Sequence, residues 1–331
     1  MNILVTGGTG FLGRHLALAL LSHGHRVYLL GRNFTQAHDL LALGAQPVPV
    51  DLRDRRATIA ACAGMEAVFH VGALSAPWGR RADFFAINVD GTANVIAGCR
   101  QSGVARLIYV SSPSVVFDGR DQRDLAESVP YPRRFASVYS FTKKLGEDLV
   151  NHAAATGLST VILRPKAIFG PGDTSLLPRL IAAARAGRLP QIGDGRNLVD
   201  LTYVDNVVSA LLLALDAPTT GRTYTITNGE HVALWAVIRT VLRHLNLSTE
   251  LRRVPLKLAL AAAAIMEARA AITGREPLLT RYSAAILART QTYDIGAARR
   301  DLRYTPQVSV AAGIRRTLAA LSTPEMKLAD G

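Results

Sequence analysis

The amino-terminal half of the chain alternates short, continuously apolar runs with longer stretches whose apolar positions recur at helical spacing. Residues 3–6, 26–30, 46–50, 67–71, 107–111 and 160–163 read as strands, and 14–23, 83–101 and 138–155 as helices. Runs that are apolar throughout suit strands covered on both faces, and strands separated by helices join in parallel. The pattern predicts an α/β fold, a doubly wound parallel sheet whose ligand lies beyond the carboxyl ends of its strands. After about Arg164 the punctuation changes. A loop at Phe169-Gly170-Pro171-Gly172-Asp173 is followed by helical pieces broken at Gly193-Asp194-Gly195 and Thr219-Thr220-Gly221, and residues 232–321 are mainly helical. The expected organisation is a dinucleotide-binding part over 1–165 that carries the catalytic residues. A smaller, mainly helical substrate-binding part over 166–331 would interleave with it around one cleft.

The first strand runs into Gly7-Gly8-Thr9-Gly10-Phe11-Leu12-Gly13 and then a helix. Gly8, Gly10 and Gly13 satisfy G-x-G-x-x-G, and Gly7, Gly10 and Gly13 give G-x-x-G-x-x-G, both in the strand–turn–helix context that the Rossmann fingerprint requires. Glycine lets the backbone approach a pyrophosphate, and a helix opening at Phe11 and Leu12 would aim its free N–H groups and positive end at that anion. The second strand ends Leu30-Gly31-Arg32. An NAD enzyme commonly carries an acidic residue there for the ribose 2′-hydroxyl, whereas a guanidinium can take a 2′-phosphate. Arg32 therefore points to NADP(H) in preference to NAD(H). Asp51 and Leu52 follow the third strand and would meet the adenine, unless Asp51 is a helix cap.

Composition narrows the field. Aromatic residues make up only 6% of the chain against 49% hydrophobic, which suits helices packed on a sheet. Cys62 and Cys99 are the only cysteines, so neither a disulfide framework nor a cysteine metal site is expected, and no metal is assigned. The net charge of +13 predicts attraction to anions. The basic residues are scattered, with no Lys/Arg block and no interleaved aromatics, which argues against nucleic acid and for an anionic cofactor, a carboxylate substrate or an acidic membrane surface. The apolar stretch 258–266 is about half the length of a membrane span. Ordinary core packing is its first reading, and peripheral membrane contact the second. The chain begins directly with a strand pattern, so a cytoplasmic protein is expected.

Tyr139 and Lys143 are four apart in a helical pattern, so phenol and ammonium share one face. A neighbouring ammonium would lower the tyrosine pKa and make the phenol a usable proton donor. Ser111 and Ser112 end the fifth strand at the cofactor edge, where a hydroxyl could bond a substrate carbonyl, although serine is also an ordinary turn residue. Asn88 sits mid-helix, a poor place for asparagine, and so signals a buried hydrogen-bonding role, either supporting the Lys143 region or tying helix to sheet. His70 reads as a hydrogen-bonded core histidine, and Trp78 and Trp235 as packing residues.

Together these residues resemble the short-chain dehydrogenase/reductase superfamily in its extended class, over nearly the whole chain. The likeness rests on the glycine loop, Phe69-His70-Val71-Gly72-Ala73, Asn88-Val89-Asp90-Gly91-Thr92, Ser111-Ser112, Tyr139-x-x-x-Lys143, Leu163-Arg164-Pro165, Phe169-Gly170-Pro171-Gly172 and Tyr203-Val204-Asp205-Asn206. The resemblance implies a catalytic Ser112, Tyr139 and Lys143, with Lys143 also on the nicotinamide ribose and Pro165 beside the nicotinamide. Val71, Gly72, Ala73 and Asn88 join the cofactor-side residues. Gly72 stands where alanine is usual, and Lys166 where another polar residue is common; Lys166 would enter the active-site cleft.

Within the superfamily the chain looks like the 3β-hydroxysteroid dehydrogenase branch. The run 111–121 is similar to reductases of 2-alkyl-3-oxoalkanoates and to sterol-4α-carboxylate dehydrogenases. The expectation is therefore NADP(H)-dependent ketone–alcohol interconversion on a small hydrophobic, acidic substrate, its chain lying near residues 256–272. The alternatives are an NAD-dependent sterol-type dehydrogenase, a sugar-nucleotide epimerase or dehydratase, and a non-enzymatic NADP(H) sensor. The aliphatic carboxyl-terminal half disfavours the epimerase, and the complete proton-transfer set disfavours the sensor. A homodimer through the helices holding Asn88 and Tyr139 is implied by the resemblance.

Overall fold

The computed structural model of the chain describes residues 1–322. Its centre is a seven-stranded sheet of β1 (Asn2–Thr6), β2 (Arg26–Gly31), β3 (Gln46–Pro49), β4 (Ala67–His70), β5 (Arg106–Val110), β7 (Thr160–Pro165) and β12 (Arg222–Ile226). The spatial order is β12-β7-β5-β4-β1-β2-β3, and every pairing is parallel. The inner strands β4, β5 and β7 are buried at every position, as their unbroken apolar runs require. β3, with Pro47 and Pro49, takes the edge, where a missing N–H costs no ladder bond.

Alternate side chains of each strand feed two cores. Ile3, Val5, Leu29, Ile108 and Leu163 pack under α1 (Phe11–Ser22) and α8 (Val204–Asp216). Leu4, Leu30, Val68, Leu107 and Ile162 pack under α5 (Gly91–Gln101) and α6 (Val138–Ala155). The remaining helices of the nucleotide-binding half are α2 (His38–Ala42), α3 (Arg55–Ala60) and α4 (Arg81–Phe85). The single helix expected over 83–101 is in fact α4, a π-helical turn at Ala86–Asp90 and then α5. Asn88 sits in that turn, of a kind frequent at functional sites.

The remaining chain builds a smaller layer at the carboxyl edge. β6 (Gln122–Leu125) leaves the first half to join β10 (Leu198–Asp200), β13 (His231–Ala233) and β15 (Gln291–Tyr293) in the order β13-β10-β15-β6. Conversely, β12 comes from the second half and edges the main sheet, so each half contributes a strand to the other's sheet. Two short pairs complete it, β8 (Ile168–Phe169) with β11 (Thr202–Tyr203) and β9 (Gln191–Ile192) with β14 (Arg253–Val254). Around them lie α7 (Leu176–Arg185), α9 (Leu234–His244), α10 (Leu256–Thr273), α11 (Arg281–Ala288), α12 (Gly296–Leu302) and α13 (Val310–Ser322). Trp235 is wholly buried here and donates its indole N–H to the Leu287 carbonyl at 3.0 Å, a packing role as expected. Residues 258–266 depart from expectation: α10 buries only Ala259, Ala263 and Ala270, and Leu258 and Ile265 face outward. No helix of the described residues is long and apolar enough to cross a membrane.

Candidate active site

Strand order reverses between β1 and β4, and a cleft of about 540 Å³ opens there at the carboxyl edge. Gly7 leaves β1 with φ at 65°, and a Cβ on it would lie 2.7 Å from the Gly72 Cα beyond β4. A Cβ on Gly13 would fall 2.1 Å from the Gly7 carbonyl oxygen. The loop is thus a cradle of bare backbone that side chains would fill. It opens onto the first turn of α1, which has no side-chain cap and no acidic residue, so its free N–H groups are left for an anion. These features fit a dinucleotide pyrophosphate.

The cleft walls carry Gly7, Gly10, Phe11, Leu12 and Gly13 at one end, Arg32, Asp51 and Leu52 beside them, Val71, Gly72 and Ala73 just past β4, and Ser112, Tyr139, Lys143 and Pro165 at the other end. All the residues expected at the site meet here except Asn88 and Lys166. The buried Asn88 amide lies beneath the wall: Nδ2 donates to the Leu74 carbonyl at 3.1 Å and to Thr142 Oγ1 at 3.0 Å, and Oδ1 accepts from the Leu74 N–H at 2.8 Å. It fixes the β4 loop to α6. Arg32 is exposed at the rim. Asp51 caps nothing; Asp54 caps α3, accepting from the Ala57 N–H at 3.0 Å, while Asp51 pairs with Arg53 at 2.6 Å. His70 is a core residue, bonded through Nδ1 to Thr6 Oγ1 at 2.7 Å and through Nε2 to Thr92 Oγ1 at 2.9 Å. Burial lowers its pKa to about 3, so it stays neutral.

The chemistry end is set by α6. Ser137 starts the helix by accepting from the Ser140 N–H at 3.0 Å, and the helix then presents Tyr139 and Lys143 to the cleft. Ser112 is fixed where β5 ends, its hydroxyl accepting from the Ser114 N–H at 3.2 Å. Burial pushes the Tyr139 hydroxyl up to about 12, with the Ser112 hydroxyl pulling the other way. Burial likewise brings the Lys143 ammonium down to about 7, against the favourable charge of Glu147. The expectation that Lys143 lowers the tyrosine pKa does not hold in this state. The ammonium is turned away, donating to the Val110 carbonyl at 2.7 Å and lying 4.0 Å from the Tyr109 ring centre. Tyr139 is consequently protonated at neutral pH and poised to donate.

Lys166 is corrected too. Rather than lining the cleft, it is buried behind it, with Nζ donating to Gln291 Oε1 at 2.6 Å. Sequence reasoning also missed what holds α6 in place. Glu147 is fully buried and accepts from Arg164 Nε at 2.8 Å, Arg164 Nη2 at 2.7 Å and the Tyr131 hydroxyl at 2.7 Å. A signal existed: Glu147 follows Lys143 by one helical turn and so lies on the face already assigned inward. Tyr282 of α11 was missed as well. It is an electrostatic neighbour of the Tyr139 phenol, and no spacing pattern links residues so far apart in the chain.

A dinucleotide cradle at a sheet switch point, with a serine, tyrosine and lysine at its far end, defines an NAD(P)-dependent oxidoreductase of the extended short-chain dehydrogenase/reductase class. The 3-beta hydroxysteroid dehydrogenase/isomerase family profile matches residues 4–258, and the chain belongs to that family. It is 40% identical over 329 residues to a 2-alkyl-3-oxoalkanoate reductase of Stenotrophomonas maltophilia, covering 97% of this chain and 99% of that one. A 2-alkyl-3-oxoalkanoate reductase of Shewanella oneidensis is 36% identical over 335 residues, 97% of this chain and 86% of that one. Among solved structures, MoeE5 in complex with UDP-glucose and NAD superposes with a TM-score of 0.77 at 25% identity, covering 97% of this chain and 98% of that one.

Proposed function

We propose that this protein reduces the ketone of a 2-alkyl-3-oxoalkanoate to the 3-hydroxy acid with NADPH. The observation that carries the reading is the protonated Tyr139 beside Ser112 at the cofactor cleft. The full-length likeness to reductases of such acids supports the substrate class. Bound in the cleft, NADPH supplies the hydride for the carbonyl carbon. Tyr139 passes its proton to the carbonyl oxygen, and the Ser112 hydroxyl bonds the same oxygen and aligns it. Lys143, which here donates to the Val110 carbonyl, would hold the nicotinamide ribose and offset the negative charge left on Tyr139. Asn88 and Glu147 are positioning residues. The test is turnover of a 2-alkyl-3-oxoalkanoic acid, released from its methyl ester just before the assay, with NADPH and NADH in parallel. Accumulation of the 3-hydroxy acid with NADPH is expected; an intact, cofactor-binding protein that leaves the acid unchanged removes the reading.

Two further outcomes follow from the cleft. Arg32→Ala should weaken NADPH binding about tenfold to a hundredfold and leave NADH binding nearly unchanged, because only the 2′-phosphate loses a charged partner. Equal weakening of both cofactors in a fluorescence titration would instead make Arg32 a general rim charge. The pH dependence comes from Lys143. Its folded pKa is about 7, so above that pH the free protein holds a neutral amine, and binding that needs the ammonium must take up a proton. NADPH affinity should therefore fall as the pH rises from 7 to about 9. In Lys143→Met that slope should disappear.

A further inference from the structure

Beside the reacting groups lie hydroxyls that the mechanism does not use. Ser114 sits two residues past Ser112 and donates its N–H to the Ser112 hydroxyl at 3.2 Å. Its own Oγ is buried and has no hydrogen-bond partner among the described residues. The same holds for Oγ of Ser111, a residue of the cleft wall, and for the hydroxyl of Tyr293. Buried hydroxyls left unpaired are costly, so a group of them beside a reaction centre points to a ligand that pairs them.

Tyr282 joins this group from the carboxyl-terminal half. Thr280 caps α11, accepting from the Ser283 N–H at 3.0 Å, and Arg281 is tied to Glu267 of α10 at 2.7 Å. The first turn of α11 is therefore fixed on both sides. It lays the Tyr282 ring edge-on against Phe117, with ring centres 6.3 Å apart. The Tyr282 hydroxyl neighbours Ser114, Ser140 and the Tyr139 phenol. Tyr282 is not among the walls of the cofactor cleft, so it meets Tyr139 from outside the cofactor's space, where a substrate must lie. The residue is only half-buried, which leaves room for a ligand. Burial holds its pKa above the ordinary tyrosine range, against the pull of the Ser114 and Ser140 hydroxyls, so the phenol keeps its proton at neutral pH.

We propose that Tyr282, with Ser114 beside it, binds the carboxylate of the oxo acid while Ser112 and Tyr139 hold the ketone oxygen. The assignment rests on the substrate class proposed above. In a 3-oxo acid the carboxyl carbon stands two bonds from the ketone carbon, so the carboxylate falls next to whatever holds the ketone oxygen. A carboxylate only accepts hydrogen bonds, and hydroxyls with free protons suit it. A ketone or alcohol without the carboxyl group leaves these hydroxyls unpaired, and the site discriminates against it for that reason.

The test is calorimetric binding to the full chain saturated with reduced nicotinamide cofactor, which cannot react with an alcohol. The probes are a 2-alkyl-3-hydroxyalkanoate and the secondary alcohol of the same chain without the carboxyl group. The wild type should bind the hydroxy acid at least about tenfold more tightly than the alcohol. Tyr282→Phe should weaken the hydroxy acid about tenfold to a hundredfold, the range of a hydrogen bond to a charged group, and leave the alcohol unchanged. The ring packing is retained, so the variant should keep the wild-type melting temperature. Ser114→Ala should show the same pattern with a smaller loss. No preference of the wild type for the hydroxy acid overturns the proposal, as does an unaltered preference in Tyr282→Phe. So does equal weakening of both probes, which would make Tyr282 a packing residue. Binding is read without turnover: a carboxylate preference lost in Tyr282→Phe, in a protein that reduces no 2-alkyl-3-oxoalkanoate, would keep the site and remove the reaction.

Discussion

Tyr139→Phe lowers turnover of the oxo acid by about a thousandfold, within the range general acid catalysis supplies, while NADPH binding is retained. The phenol sits at the far end of the cleft from the glycine cradle, so removing one oxygen leaves the pyrophosphate contacts intact. The effect should fall on kcat, because the proton is needed only as the carbonyl oxygen gains charge and not to hold the ketone. The hydroxyl is held near 12 by burial, so no competing ionisation of Tyr139 is expected between pH 6 and about 9. A variant that lost cofactor affinity along with activity would mean that Tyr139 supports the cleft rather than the reaction.

Glu147→Ala destabilises the fold by about 3–5 kcal/mol, since it strands the buried Arg164 guanidinium without a counter-charge. Arg164 lies at 5% side-chain exposure and Glu147 at 0%, so water can reach neither. The carboxylate also favours the charged form of Lys143, so any folded fraction of the variant should bind NADPH less well at neutral pH. Urea unfolding measures the first effect, and a cofactor titration under native conditions the second. Glu147→Gln keeps one acceptor for Arg164 and should lose less stability. A loss below about 1 kcal/mol for the alanine variant would show that the pair is dispensable.

How far the sequence carries the account differs by element. The strands of the nucleotide-binding half were legible because burial on both faces leaves unbroken apolar runs, and β4, β5 and β7 are buried throughout. The glycine loop was legible because close backbone approach excludes side chains, as the contacts at Gly7 and Gly13 show. β12 was not, because Arg222-Thr223-Tyr224-Thr225-Ile226 carries polar residues that a run-based reading passes over, and its pairing with β7 is long-range. The π-helical turn was hidden inside an ordinary helical pattern, and only the misplaced Asn88 hinted at it. The side-chain direction of Lys143 and Lys166 was out of reach, since it depends on the Val110 carbonyl and on Gln291, contacts that spacing along the chain does not encode. The outward face of α10 was misread for a related reason: periodicity cannot separate a helix buried on all sides from one with an uncovered apolar face.

The most direct test is reduction of a 2-alkyl-3-oxoalkanoic acid with NADPH deuterated at the transferable position of the nicotinamide, with mass analysis of the product. The account predicts a 3-hydroxy acid carrying one deuterium on the carbinol carbon, formed by the wild type and lost in Tyr139→Phe. A product without that deuterium, or product formed equally well by the tyrosine variant, would contradict it.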